Sequence, residues 1–216
     1  VWLPRLAKSN PGLVVVDTIK GLDLLPMEED HDHDHDKGHD KGHGGKAGHA
    51  HDEKAMDVHT WTSPRMVKAQ CAVIAQALAQ ADPANAQAYA ANLQAFQAEL
   101  DALDAAIAKA LEGVPKGSRF LVFHPAWAYF ARDYGLRELA IEVGGREPGP
   151  RQLKKIIEQA REARLRVILV QPQFSRKAAQ TVADAVGARL VDADVMAADW
   201  AGNLLGVAKA ITEAAR

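Results

Sequence analysis

The second half of the chain alternates short apolar runs with amphipathic segments, and this alternation constrains the fold more than any other feature. Four strand-like runs are each followed by a segment of helical pattern: RFLVF, ELAIEV, RVILVQ and ARLVDA precede helices predicted at 126–134, 150–164, 175–186 and 200–215. Strands that alternate with helices in this way predict a parallel, doubly wound sheet. Ligands of such sheets gather at the carboxyl ends of the strands.

The first half predicts one more strand and two helices. The β-branched run GLVVVD (12–17) has the pattern of a short, fully buried strand. Ser63 and Pro64 form a good helix start, with Ser as N-cap and Pro at the first helical position. From Pro83 to about Leu111, apolar residues recur at spacings of three and four, which predicts one long helix. At ~1.5 Å per residue it spans roughly 43 Å, which favours a helix that bridges two lobes.

We therefore expect an α/β protein of two lobes, with parallel sheets flanked by helices and joined by one long helix. The predicted division is part of an N-terminal lobe (1–82), the linking helix (83–112) and a C-terminal α/β lobe (113–216). No stretch of the sequence has the length and apolar character of a membrane span. Because the chain opens on Val1 without Met, we expect the start of the first lobe, and any leader, to lie upstream.

Charge and cysteine content exclude some functions. The net charge of −2 is uneven, because residues 28–57 hold ten acidic residues against four lysines. The mild positive surplus elsewhere is spread along helices rather than clustered, so the chain is not expected to bind nucleic acid. Cys71 is the only cysteine, which excludes an intrachain disulfide and a thiolate metal cluster built from this chain alone.

A histidine-rich segment interrupts the first half. Seven of the nine histidines lie between residues 31 and 51, among acids, lysines and glycines: His31, His33, His35, His39, His43, His49 and His51. With almost no apolar side chain, 28–57 is predicted to be a mobile loop. Two or three imidazoles of such a loop can surround an ion, and nearby carboxylates raise the local cation concentration. The segment thus suggests weak, multiple metal binding, although a solvated linker or a purification artefact has a similar composition.

The other two histidines and one aspartate form the candidate tight site. His124 follows the first strand of the alternating half, and Asp194 follows the last, so both lie at the predicted ligand edge. Asp192, two residues earlier, is the weaker alternative. His59 precedes the helix start at Ser63. Two imidazoles and a carboxylate suit zinc, while the ordinary alternative for each histidine is a hydrogen-bonded core or surface residue.

Four motifs, DVHTW, HPAWAYF, GGREPGP and DVMAADW, resemble those of zinc-specific solute-binding proteins of bacterial ABC importers. A charged, histidine-rich loop before the first motif is itself typical of the zinc members. The resemblance covers essentially the whole chain and implies His59, His124 and Asp194 as metal ligands, with the remaining ligand upstream of Val1 or a water. Manganese-selective members tend to have Glu at the position of His124, so the resemblance favours zinc.

The resemblance implies a periplasmic or surface-anchored monomer that captures Zn²⁺ between two lobes and delivers it to a membrane permease, without catalysis. The histidine-rich loop would serve auxiliary zinc binding or sensing. The alternatives are a histidine-tract metallochaperone or metal store, and a zinc enzyme with Glu147 as base. The enzyme is disfavoured because GGREPGP has the pattern of a turn and no H-E-x-x-H is present. Because imidazoles ordinarily protonate near pH 6.5, zinc affinity should fall as the pH drops through that range.

Overall fold

The structure, a computed structural model, describes residues 2–27 and 55–215. Its centre is a sheet of four short parallel strands in the order β2-β1-β3-β4. The strands are β1 (Arg119–Val122), β2 (Arg137–Ala140), β3 (Val167–Val170) and β4 (Arg189–Asp192). Three of them lie within runs that the sequence pattern marks as strands, and β2 begins one residue before its run, at Arg137. The predicted parallel sheet is therefore confirmed.

Helices precede and separate these strands. The described residues form α1 (Leu3–Ser9), α2 (Pro64–Ala81), α3 (Ala86–Ala110), α4 (Ala128–Tyr134), α5 (Pro150–Glu162), α6 (Arg176–Val186) and α7 (Trp200–Ala215). Ser63 caps α2 as expected, because its hydroxyl oxygen accepts a hydrogen bond from the Met66 amide at 3.0 Å. Within the described ranges, no helix combines the length and the apolar character needed to cross a bilayer.

Side chains of successive strand residues point to opposite faces of the sheet, and each face has its own core. Phe120 and Val122 pack with residues of α3, α4 and α7 on one face. Leu121 packs with residues of α5 and α6 on the other. Helices thus cover both faces of the sheet, as a doubly wound fold requires.

The long helix α3 packs along α2 and also contacts α7. Its 25 residues correspond to about 37 Å, and its buried side chains are Leu100, Leu103 and Ile107. The burial of this stripe explains the apolar spacing of the second half of the helix, whereas Phe96, earlier in the same pattern, is exposed. The division into two lobes joined by this helix stays a prediction.

The predicted strand at 12–17 is wrong. This stretch has no strand pairing, and Val14, Val15 and Val16 are 77%, 49% and 40% exposed. A strand needs a neighbour that satisfies its backbone groups, and the described part of the chain supplies none at this position. β-Branched residues favour strands because their side chains pack well on a pleated, half-buried surface. Without such a surface, the run does not form a strand.

The predicted bounds of the mobile loop, 28–57, extend three residues too far. Residues 28–54, with the seven clustered histidines, lie outside the described residues. Residues 55–57, however, pair with 25–27 in an antiparallel bridge. The Met27 amide donates to the Ala55 carbonyl and the Asp57 amide to the Leu25 carbonyl, both at 2.8 Å. These backbone bonds hold residues 55–57 in place at the end of the predicted loop.

Candidate metal centre

His124 lies just beyond β1, at the carboxyl edge of the sheet, and its backbone is held on both sides. Gln171, which is buried just after β3, donates from Nε2 to the His124 carbonyl at 2.9 Å and accepts from the His124 amide at 3.3 Å. The Phe174 ring stacks on the imidazole, with 4.8 Å between ring centroids and 21° between planes. The position and plane of this ring are thus fixed by two residues of the segment that follows β3, the strand beside β1 in the sheet.

A buried carboxylate orients the same ring. Glu142, which follows β2, lies with Oε2 2.8 Å from His124 Nδ1. Because a carboxylate accepts hydrogen bonds, Nδ1 carries the proton and Nε2 keeps its lone pair. Metal-binding histidines commonly have this partner on the second ring nitrogen, which fixes the tautomer and raises the basicity of the donor nitrogen.

His59 has the same arrangement on a different part of the chain. Its Nδ1 lies 2.7 Å from Oδ1 of Asp57, and the same oxygen accepts the His59 amide at 2.8 Å. Asp57 is buried. A 3₁₀ turn, Thr60–Thr62, follows His59 directly. Within it, Trp61 lies edge-on to the His59 ring with 5.4 Å between centroids.

The two imidazoles lie against one another edge to face. Their centroids are 5.3 Å apart and their planes meet at 78°. The side chains keep 14% exposure at His59 and 22% at His124, so both rings are largely buried but remain in contact with solvent. Two imidazoles, each with a carboxylate on Nδ1, form a nitrogen-donor pair of the kind that zinc prefers.

Asp194 stands apart from this pair. Its Oδ1 accepts from Gln173 Nε2 at 2.6 Å and from the Met196 amide at 2.9 Å. Trp61 Nε1 donates to the Val195 carbonyl at 2.9 Å and so ties the Asp194 loop to the His59 turn. Over residues 2–27 and 55–215, no three His, Cys, Asp or Glu side chains come together as a metal-holding group. The ligand role of Asp194 therefore stays a prediction.

Asp192 and Glu147 are the two other acidic candidates from the sequence. Asp192 pairs with Arg176, its Oδ1 2.6 Å from the guanidinium, and this ion pair favours Asp194 over Asp192 as the candidate on this edge. Glu147 is exposed in the segment after a tight turn closed by Val143 and Arg146. Gly144 and Gly145 adopt φ of 56° and 75° in that turn, which matches the turn predicted from the sequence.

Sequence reasoning did not single out the carboxylates that hold the two rings. Asp57 is the first residue of the DVHTW motif, so its spacing of two from His59 was a usable signal. Glu142 follows β2 at the same sheet edge as His124, and the rule that placed His124 there applies equally to it. Gln171 and Phe174 follow β3 at this edge, but an amide and an aromatic ring carry no metal-binding pattern in the sequence.

A third carboxylate supports the turn after His124. Glu138 on β2 accepts hydrogen bonds at Oε1 from the Ala126 and Trp127 amides, each at 3.0 Å. Burial raises the pKa of Glu138 to about 7; these two amides act in the opposite direction, and the negative charge of Asp57 adds to the rise. Glu138 thus holds the start of α4 in place.

A family model and known metal-uptake and metal-binding proteins match much of this chain. The family model described as zinc-uptake complex component A, periplasmic, matches residues 1–214. The high-affinity zinc uptake system protein ZnuA of Bacillus subtilis (strain 168) is 30% identical over 193 residues, which cover 87% of this chain and 57% of that protein. The iron-binding protein YfeA of Yersinia pestis is 33% identical over 134 residues, 61% of this chain and 43% of that protein. The chain thus spans about half the length of these relatives.

Solved structures show the same fold. A crystal structure of ZnuA superposes with a TM-score of 0.84 at 37% identity, covering 100% of this chain and 74% of that one. A ZnuA deletion mutant with zinc bound gives a TM-score of 0.82 at 37% identity, over 99% of this chain and 74% of that one. The FpvC solute-binding protein of Pseudomonas aeruginosa in complex with Mn²⁺ gives 0.75 at 26% identity, over 98% and 74% of the two chains.

Proposed function

Since the chain belongs to the family of periplasmic zinc-uptake components, we propose that it binds Zn²⁺ as cargo through His59 and His124 and delivers it to the permease of an ABC importer. The observation that carries this proposal is the imidazole pair, whose ring centroids are 5.3 Å apart while each Nδ1 is held by a buried carboxylate. The relatives named as zinc-uptake proteins support zinc as the cargo.

The donor chemistry supports zinc over manganese. Imidazole nitrogen suits zinc, whereas carboxylate, carbonyl and water oxygens suit manganese. Asp57 and Glu142 already fix the tautomers, so an ion meets two oriented Nε2 atoms and little ordering accompanies binding. In this function the ion is bound and released without catalysis, because no covalent bond of a substrate changes.

We propose Asp194 as a third ligand. Its loop is tied to the His59 turn through the bond from Trp61 to the Val195 carbonyl, which supports a shared site for the two segments. Gln173 and Met196 contact only Oδ1, and a carboxylate can ligate zinc through its other oxygen. A tetrahedral site then leaves a further position for water or another donor.

For the histidine-rich segment 28–54 we propose auxiliary, weaker zinc binding that raises the local supply of the ion. Its composition supports this, since imidazoles there alternate with carboxylates. Met27 and Ala55, which flank it, are hydrogen bonded to one another at 2.8 Å, only a few residues from His59. The competing function, a histidine-tract metallochaperone or store, would make this segment the principal site.

Zinc titration against a competing chelator separates the two functions. The variants are a deletion of 28–54, the pair His59→Ala with His124→Ala, and the matched pair His33→Ala with His35→Ala, which removes the same number of imidazoles from the other segment. We expect the tightest site to survive the deletion and the His33/His35 change and to disappear with His59 and His124. Loss of all zinc binding on deletion of 28–54 would instead establish the metallochaperone function.

A further inference from the structure

His59 and His124 are carried by different parts of the molecule. His124 belongs to the sheet, between β1 and α4, while His59 belongs to the segment that leads into α2. The distance between their rings therefore depends on how the segment 57–63 is attached to the sheet. Bonds between Trp61 and both Val195 and Trp200 attach the middle of this segment. Helix α4, which begins only four residues after His124, attaches its two ends.

Tyr129 attaches one end of the segment. This fully buried side chain donates from its hydroxyl to the Asp57 carbonyl at 2.6 Å and accepts from the Leu25 amide at 3.1 Å. Asp57 is the residue whose carboxylate holds both the amide and Nδ1 of His59. The hydroxyl of Tyr129 thus fixes the backbone of the group that orients the ligand ring.

Asp133 attaches the other end. Its Oδ2 accepts a hydrogen bond from the hydroxyl of Ser63, which is fully buried and caps α2. Its Oδ1 accepts from Arg132 Nε at 3.1 Å, and the Arg132 guanidinium lies 5.1 Å from the centroid of the Tyr129 ring. The Asp133 side chain is only 5% exposed, so its bonds lie in a weakly screened environment.

Tyr129 and Asp133 are four residues apart on α4, which places them on one face of the helix, one turn from each other. They contact the segment 57–63 on either side of His59. We propose that Tyr129 and Asp133, here called the α4 clamp, are positioning residues that hold His59 against His124 before the ion arrives. This proposal rests on the proposed function of the two histidines. It adds that α4, which contributes no ligand, helps to determine the zinc affinity.

Positioning the ligands in advance removes an ordering cost from binding and lengthens the residence of the ion. Loss of a group that hydrogen-bonds a metal ligand directly typically weakens metal binding 10- to 100-fold, and the clamp acts one bond further from the ligand. We therefore expect about tenfold weaker zinc binding for Tyr129→Phe and for Asp133→Ala, and less for Asp133→Asn, since the amide oxygen still accepts from Ser63.

The chain offers a matched control on the same helix. The Tyr134 hydroxyl donates to Oδ1 of Asp104 at 2.8 Å, so this hydrogen bond joins α4 to α3 rather than to the segment 57–63. Tyr134→Phe thus removes the same kind of bond from the same helix without touching the clamp. We expect it to lower the melting temperature of the metal-free chain as the clamp variants do, while its zinc affinity stays within about twofold of the unchanged chain.

The test is a chelator-competition titration with zinc alone, together with long-range ¹H–¹⁵N spectra of the histidine rings. The clamp predicts weaker binding and a changed His59 tautomer signal in Tyr129→Phe and Asp133→Ala, with the His124 signal constant. If both variants bind zinc as Tyr134→Phe does while His59→Ala loses binding, the clamp is refuted and the proposed function stands. If His59→Ala and His124→Ala leave zinc binding unchanged, both proposals fail.

Discussion

Replacing Glu138 by Gln should make the protein more stable above neutral pH, which is unusual for a change beside a binding site. The folded state raises the pKa of this carboxyl from 4.5 to about 7 through burial. Between those values the folded chain keeps a proton that the unfolded chain has lost. By linkage, stability is fully present below pH 4.5 and is lost as the pH rises through 7.

The size of the effect follows from the same two values. Each pH unit between 4.5 and 7 is worth about 1.4 kcal/mol, so the wild-type chain loses up to about 3 kcal/mol of unfolding free energy by pH 8. Because Glu138 keeps partial exposure, this is an upper bound. In Glu138→Gln the amide oxygen still accepts from the Ala126 and Trp127 amides, and no proton is exchanged.

The assay is urea unfolding of both chains from pH 5 to pH 8, with Glu147→Gln in the exposed turn as a control for the loss of a surface charge. We expect the two chains to be similar at pH 5 and Glu138→Gln to be the more stable at pH 8. A difference that is constant with pH, or that favours the wild type as the pH rises, would refute the burial of this carboxyl as the cause.

Two further predictions follow from local geometry. Gly187 ends α6 with φ of 70°, so Gly187→Ala should destabilise the chain by about 1 kcal/mol. Gly206 lies inside α7 with open space where a Cβ would be added, so Gly206→Ala should stabilise the chain by about 0.5–1 kcal/mol. Urea unfolding of both variants measures these two changes. Trp61 lies 5.4 Å from the His59 ring, so zinc should change tryptophan emission and Trp61→Phe should remove most of that change, whereas Trp2→Phe, at an exposed position, should not.

The sheet was predictable because each strand and helix is encoded locally. Four apolar runs separated by helical periodicity admit few arrangements other than a parallel sheet, and the structure contains all four. The stretch 12–17 has the same local pattern and forms no strand, because a strand also needs a neighbouring strand to pair with, and the run itself cannot supply one. Local pattern therefore establishes which segments are able to form strands, and tertiary contact decides which of them do.

The candidate site divides in the same way. The position of His124 after a strand and the motif around His59 identified both residues as candidates. The sequence does not predict that their ring centroids lie 5.3 Å apart. The bonds that bring them together join residues far apart in the chain, such as Tyr129 to Asp57 and Asp133 to Ser63. Such contacts depend on how α4 packs against the segment 57–63, which no local periodicity records.

Anomalous diffraction at the zinc edge, from crystals grown with one equivalent of Zn²⁺, tests the central claim most directly. We predict one strong peak between the two rings, about 2.0–2.1 Å from Nε2 of His59 and of His124, the usual Zn–N distance. A peak bound only by histidines of the segment 28–54, with the His59 and His124 rings uncoordinated, would contradict capture of zinc by this pair.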